Sequence, residues 1–128
     1  MKNFFTFLYV IVLFSITISA QNEQWETYFE KSGFLSTPNY QLSVEYFKKL
    51  EDASPFAKMF EFGITPQGRP LYCMIISKDM VFTPTEVKKL NKPIVLIMNG
   101  IHAGEIEGKD ASMILLREIL ITKEKENL

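Results

Sequence analysis

The chain has 128 residues and a formal net charge of −1, from 14 basic and 15 acidic side chains. It carries no basic patch or stripe, so nucleic acid is excluded as a partner. Cys73 is the only cysteine, which excludes an internal disulfide and leaves a packed core or a metal as the source of stability.

In chain order, Lys2 gives a short positive start, Phe4 to Ile18 is an apolar run, and Ile18-Ser19-Ala20 places a small residue before a cut. This pattern predicts a secretory signal peptide over residues 1–20, cleaved after Ala20, and a secreted or periplasmic product. The run sits at the lower limit for a membrane span and polar residues follow from Gln21. Membrane contact is therefore expected only through the export signal, with an uncleaved anchor as the alternative. Cleavage leaves 108 residues, enough for one small domain. Residues 21–39 carry Trp25, Tyr28, Phe29 and Phe34 among polar residues and read as an N-terminal arm or short helix that packs its aromatics.

From Tyr40, the apolar positions Tyr40, Val44, Phe47 and Leu50 follow helical spacing with polar residues between them, a surface helix ended by Ser54-Pro55. Lys58 to Ile64 and Pro70 to Ser77 are strand patterns joined by the turn residues Thr65-Pro66-Gln67-Gly68, which predicts an antiparallel hairpin. Thr83-Pro84-Thr85-Glu86 is a helix start with Thr83 as N-cap, Pro84 at the first helical position and Glu86 closing a capping box; the helix ends near Asn91. Ile94 to Met98 is continuously apolar, as in a strand covered on both faces inside a larger mixed sheet. Ile106 to about Ile121 is apolar over much of its surface and reads as a mostly buried helix. Residues 122–128 form a polar run. The class is α/β.

The chemistry lies between the last strand and the last helix. His102 and Glu105 stand in a His-x-x-Glu spacing directly after Ile94 to Met98, bracketed by Gly100 and Gly104, which allow tight turning. The carboxyl end of a parallel strand is where open α/β sheets keep their sites, and imidazole and carboxylate are both zinc ligands. With i, i+3 spacing across a loop-to-helix junction the two side chains can face one point. The other reading is structural, with His102 a hydrogen-bonded loop residue and Glu105 a favourable charge in the first helical turn. His102 is the only histidine, whereas a catalytic zinc takes three protein ligands.

Other candidates are weaker. Cys73 paired with His102 would suit nucleophilic catalysis, but its mid-strand place reads as a small buried hydrophobe. Arg69 reads as a turn anchor or surface residue before a ligand contact. Glu107 and Asp110 suit the helix start electrostatically, with orientation of His102 as an alternative role for one of them.

Three stretches resemble the zinc metallocarboxypeptidases of the carboxypeptidase A-like family: Phe62-Gly63-Ile64-Thr65-Pro66-Gln67-Gly68-Arg69-Pro70-Leu71, Lys92 to Glu105, and Glu107-Gly108-Lys109-Asp110-Ala111 running into Leu115-Leu116-Arg117. The similarity spans about Tyr40 to Leu120. It implies a mixed-sheet zinc carboxypeptidase-like fold of which residues 40–128 are the N-terminal portion: hairpin, central strand and flanking helices. It also implies Zn²⁺ as cofactor, His102 and Glu105 as the first two zinc ligands, and peptide or protein C-termini as substrate. A neighbouring branch of the family with the same motif cleaves small acylated amino acids. The family's third ligand is a later His, its general base a later Glu, and its carboxylate-holding arginines lie between them. No His follows His102, and Arg117 is the only later Arg. Digestive members carry Arg directly before the ligand Glu, where this chain has Gly104. The expectation is a truncated catalytic domain, inactive alone. The opposing expectation is a secreted non-enzymatic binding domain in which the His-x-x-Glu loop is structural.

Overall fold

Local signals in the sequence set most of the elements. A computed structural model describes residues 23–125, so the signal peptide read over residues 1–20 and the last three residues lie outside the described residues. The chain divides into two units, residues 1–36 and 37–128. In the first, α1 (Tyr28–Lys31) opens on a reciprocal cap: the Glu30 amide donates to the Thr27 hydroxyl at 3.2 Å, and the Thr27 amide donates to the Glu30 carboxylate at 2.8 Å. After it the chain turns through positive φ at Gly33 and Phe34, and the Phe34 ring packs edge-on against Phe29 with centroids 5.3 Å apart.

The second unit starts with α2 (Tyr40–Ala53), capped where the Leu42 amide donates to the Asn39 side chain at 3.0 Å and stopped by extended Ser54 before Pro55. β1 (Ala57–Ile64) and β2 (Pro70–Ile76) pair antiparallel from Ala57↔Ile76 to Ile64↔Pro70, with Phe62 left over as a bulge between Glu61↔Tyr72 and Gly63↔Leu71. The Thr65 amide donates to the Arg69 carbonyl at 2.8 Å across the turn, and Gly68 supplies the positive φ of 77° it requires. Glu51 near the end of α2 accepts from the Met59 amide at 3.0 Å and lies 3.6 Å from the Lys58 ammonium, tying helix to hairpin.

One face of the hairpin is covered and the other is open. Ala57 is buried and Met59, Met74 and Ile76 are half-buried, while Phe60, Phe62, Leu71 and Cys73 are exposed. Cys73 therefore corrects the expectation of burial. A mid-strand cysteine is interior only when a second layer covers its face, and none of the described elements covers the Phe60↔Cys73 pair.

α3 (Pro84–Leu90) begins and ends as its signals predict, from the Thr83 N-cap to left-handed Asn91. The Glu86 amide donates to the Thr83 hydroxyl at 3.4 Å, but the Glu86 carboxylate reaches back to that hydroxyl, not to the Thr83 backbone amide, so the expected capping box is only half formed.

Ile94 to Met98 departs from expectation. These residues form no strand, and their exposure runs from 61% to 81%. β1 and β2 make the single sheet among the described residues. A strand exists only when its backbone amides and carbonyls find a neighbour, and none of the described segments pairs with this one.

α4 (Glu107–Leu120) follows, with Asp110, Met113 and Leu120 buried on one face. It contacts α2, and the Lys109 ammonium donates to the Pro38 carbonyl just before α2. Among the described residues the buried apolar ones are Leu50, Ala57, Met113 and Leu120, a core shared by α2, β1 and α4. The fold is mixed α/β, consistent with part of the expected carboxypeptidase-like architecture. Among the described residues no helix is long and apolar enough to cross a membrane.

Candidate metal site

The loop between the apolar segment and α4 brings His102 and Glu105 together. Gly100 turns the chain with φ 65°, and the Glu105 amide donates to the His102 carbonyl at 3.0 Å, closing a tight turn. That turn puts the His102 imidazole Nδ1 2.9 Å from Glu105 Oε1. An ionised carboxylate can only accept, so with Glu105 in that form the proton of this bond sits on Nδ1. Both side chains are open to solvent, His102 at 78% and Glu105 at 63%.

The donor set has the nitrogen and oxygen character of a zinc site. Two ligands at tetrahedral angles stand about 3.3 Å apart, so this pair needs to open by only a few tenths of an ångström and give up the Nδ1 proton to share a cation. Among the described residues no group of three or more His, Cys, Asp or Glu side chains comes together. The loop thus offers two donors.

The remaining candidates lie elsewhere or play other parts. Arg69 holds the hairpin turn against α2: its guanidinium stacks 5.7 Å over the Tyr40 ring, and the Tyr40 hydroxyl donates to the Pro70 carbonyl at 2.8 Å. Desolvation, followed by the charges of Tyr72 and Glu61, raises the Tyr40 phenol above its ordinary range, while Arg69 pulls it down. A shallow groove of about 290 Å³ lies beside this contact, lined by Asn39, Tyr40, Gln41 and Arg69, and includes no residue of the His-Glu loop. Glu107 is exposed in the first turn of α4. Asp110 is 5% exposed and its Oδ1 has no hydrogen-bond partner, so it is a buried carboxylate that does not reach His102.

Sequence reasoning passed over three residues that shape the loop. The Asn99 side-chain amide donates to the Ser112 hydroxyl, and Asn99 lies so close to Gly108 that a Cβ there would meet Asn99 Oδ1 at 2.6 Å. The Asn99-Gly100 dipeptide was the available signal, since Asn-Gly marks a turn whose asparagine often bonds locally.

Comparison with known proteins adds one match. The model of the zinc carboxypeptidase family fits residues 43–127, more than half of the chain and including the whole His-Glu loop. No curated protein and no solved structure matches.

Proposed function

This chain belongs to the zinc carboxypeptidase family, and on that premise we propose that His102 and Glu105 are two of the protein ligands of a Zn²⁺ that serves hydrolysis of C-terminal peptide bonds in a secreted protein. The observation that carries the reading is the 2.9 Å approach of Nδ1 to Oε1 inside the stretch that the family model matches. Secretion rests on the leader pattern of residues 1–20.

When bound, Zn²⁺ acts as a Lewis acid toward a substrate carbonyl and a water. This chain's own residues do the holding. His102 contributes a neutral nitrogen once Nδ1 is free of its proton, and Glu105 contributes one negative charge. The tight turn between them fixes the bite of the pair. The chain has no second histidine, and the third ligand, general base and carboxylate-binding arginine of the family have no counterpart here. Residues 1–128 alone are accordingly proposed to bind zinc weakly and to hydrolyse nothing.

The test is zinc titration of the full chain, following the His102 ring signals by NMR beside the variants His102→Ala and Glu105→Ala. The reading expects the ring signals to move with zinc and Glu105→Ala to weaken that response about tenfold or more. A ring indifferent to zinc, or one equally responsive without Glu105, overturns it in favour of a structural loop.

A further inference from the structure

Asn99 is fully outside the metal motif, yet the loop is built around it. Its side chain leaves the end of the apolar segment, donates to the Ser112 hydroxyl more than a turn into α4, and lies against the backbone of Gly108 in the first turn of the same helix. Both ends of the loop that carries His102 and Glu105 are therefore held by one side chain. The contact with Gly108 is close: a Cβ there would meet Asn99 Oδ1 at 2.6 Å, Cγ at 3.0 Å and Cβ at 3.1 Å, so a larger residue at that position must push the Asn99 side chain out of its place.

We propose that Asn99 is a positioning residue for the His102–Glu105 pair, clamping the loop across Gly108 and Ser112 so that the two donors meet. The proposal rests on the metal reading for its purpose, but its geometry is independent of metal. Three features of the loop point the same way. α4 starts at Glu107 with no side-chain cap on Ile106, so nothing from its own cap position fixes where the helix begins. His102 and Glu105 are both exposed, so no packing holds their side chains in place. The remaining constraints are the Glu105 amide to His102 carbonyl bond, the positive φ of Gly100, and the Asn99 clamp. Of these, only the clamp ties the loop to the body of α4, which is anchored through Met113 and Leu120 in the core. A ligand pair loses affinity quickly when its supporting hydrogen bonds are removed.

The experiment uses the full chain with Asn99→Ala, Asn99→Asp, Gly108→Ala and the double variant Asn99→Ala/Gly108→Ala. The first readout is the NOE between the His102 ring and the Glu105 methylenes without metal, and the second is the Zn²⁺ concentration that half-shifts the His102 ring signals. Asn99→Ala and Gly108→Ala should each lose most of the NOE and raise the zinc requirement about tenfold. Asn99→Asp, which can still accept from the Ser112 hydroxyl, should keep the NOE. The double variant should be little worse than Asn99→Ala, since the two closest overlaps, with Oδ1 at 2.6 Å and Cγ at 3.0 Å, go with the amide and only the 3.1 Å approach to Cβ is left. An unchanged NOE in Asn99→Ala, equal losses in Asn99→Asp and Asn99→Ala, or additive losses in the double variant overturns the clamp. If the wild-type ring ignores zinc, the metal reading fails, and the NOE arm still decides the clamp.

Discussion

Replacing Val95 and Ile97 together with lysine should leave the fold of this chain intact and make it more soluble. Full burial of an aliphatic side chain is worth about 1.5–3 kcal/mol. Ile94 to Met98 are 77%, 81%, 76%, 61% and 65% exposed, so most of that gain is not realised in residues 23–125. Five such side chains forfeit on the order of 10 kcal/mol, comparable to the whole stability of a small domain. Lysines at the exposed positions Val95 and Ile97 should change stability by about 0.5 kcal/mol or less, as surface substitutions do. Were the segment a strand covered on both faces, two unpaired buried charges would cost well over about 4 kcal/mol and unfold the chain. The assay is urea unfolding followed by far-ultraviolet circular dichroism, together with light scattering against protein concentration. The wild type should self-associate through an uncharged apolar run with unpaired backbone groups, and the double lysine variant should scatter less at the same midpoint. A midpoint lowered by the equivalent of about 2 kcal/mol or more, beyond what surface substitutions cost, would show that the segment is packed and refute the reasoning.

Leu50→Ala should cost about 2–5 kcal/mol, because Leu50 is fully buried in a core of few residues and its loss leaves a cavity; a shift below 1 kcal/mol in the urea midpoint would mean that α2 is not packed as described. Asp110→Leu should stabilise by about 1–3 kcal/mol, since replacing a buried oxygen that has no hydrogen-bond partner with an apolar group of similar size outweighs the smaller helix-dipole loss in the first turn of α4, and a lowered midpoint contradicts this. The Tyr40 phenol holds its proton more tightly when folded, so its contribution to stability is full below the ordinary phenol value of 10.0 and is lost as pH rises through the raised folded value; Tyr40→Phe should remove phenolate absorbance that develops above that ordinary value, and a loss confined to absorbance developing below it refutes the assignment. Peptides with free C-termini incubated with the zinc-supplemented chain should show no hydrolysis that His102→Ala abolishes, and liquid chromatography of the products checks it.

The elements that the sequence made legible are those whose cause lies within a few residues. Asn39 and Thr83 start helices because a side-chain oxygen meets an amide three residues on, and Thr65-Pro66-Gln67-Gly68 turns the hairpin because Gly68 accepts positive φ. The meeting of His102 and Glu105 belongs to the same class, since three residues of turn suffice to bring Nδ1 to Oε1. Thr27 and Glu30 carried an equally local signal that was passed over within a segment read as an aromatic arm or short helix without a stated start.

What the sequence alone determined, then, is helix starts, the hairpin, the close spacing of His102 and Glu105 and the family pattern around it. Only the tertiary structure decided that Cys73 lies on an open face, that Ile94 to Met98 stays exposed, that Asp110 is buried, and that Asn99 reaches Gly108 and Ser112. An apolar run states what it could bury, but whether it becomes a strand depends on a neighbour's backbone, and a single side chain's surroundings depend on segments far away in the chain.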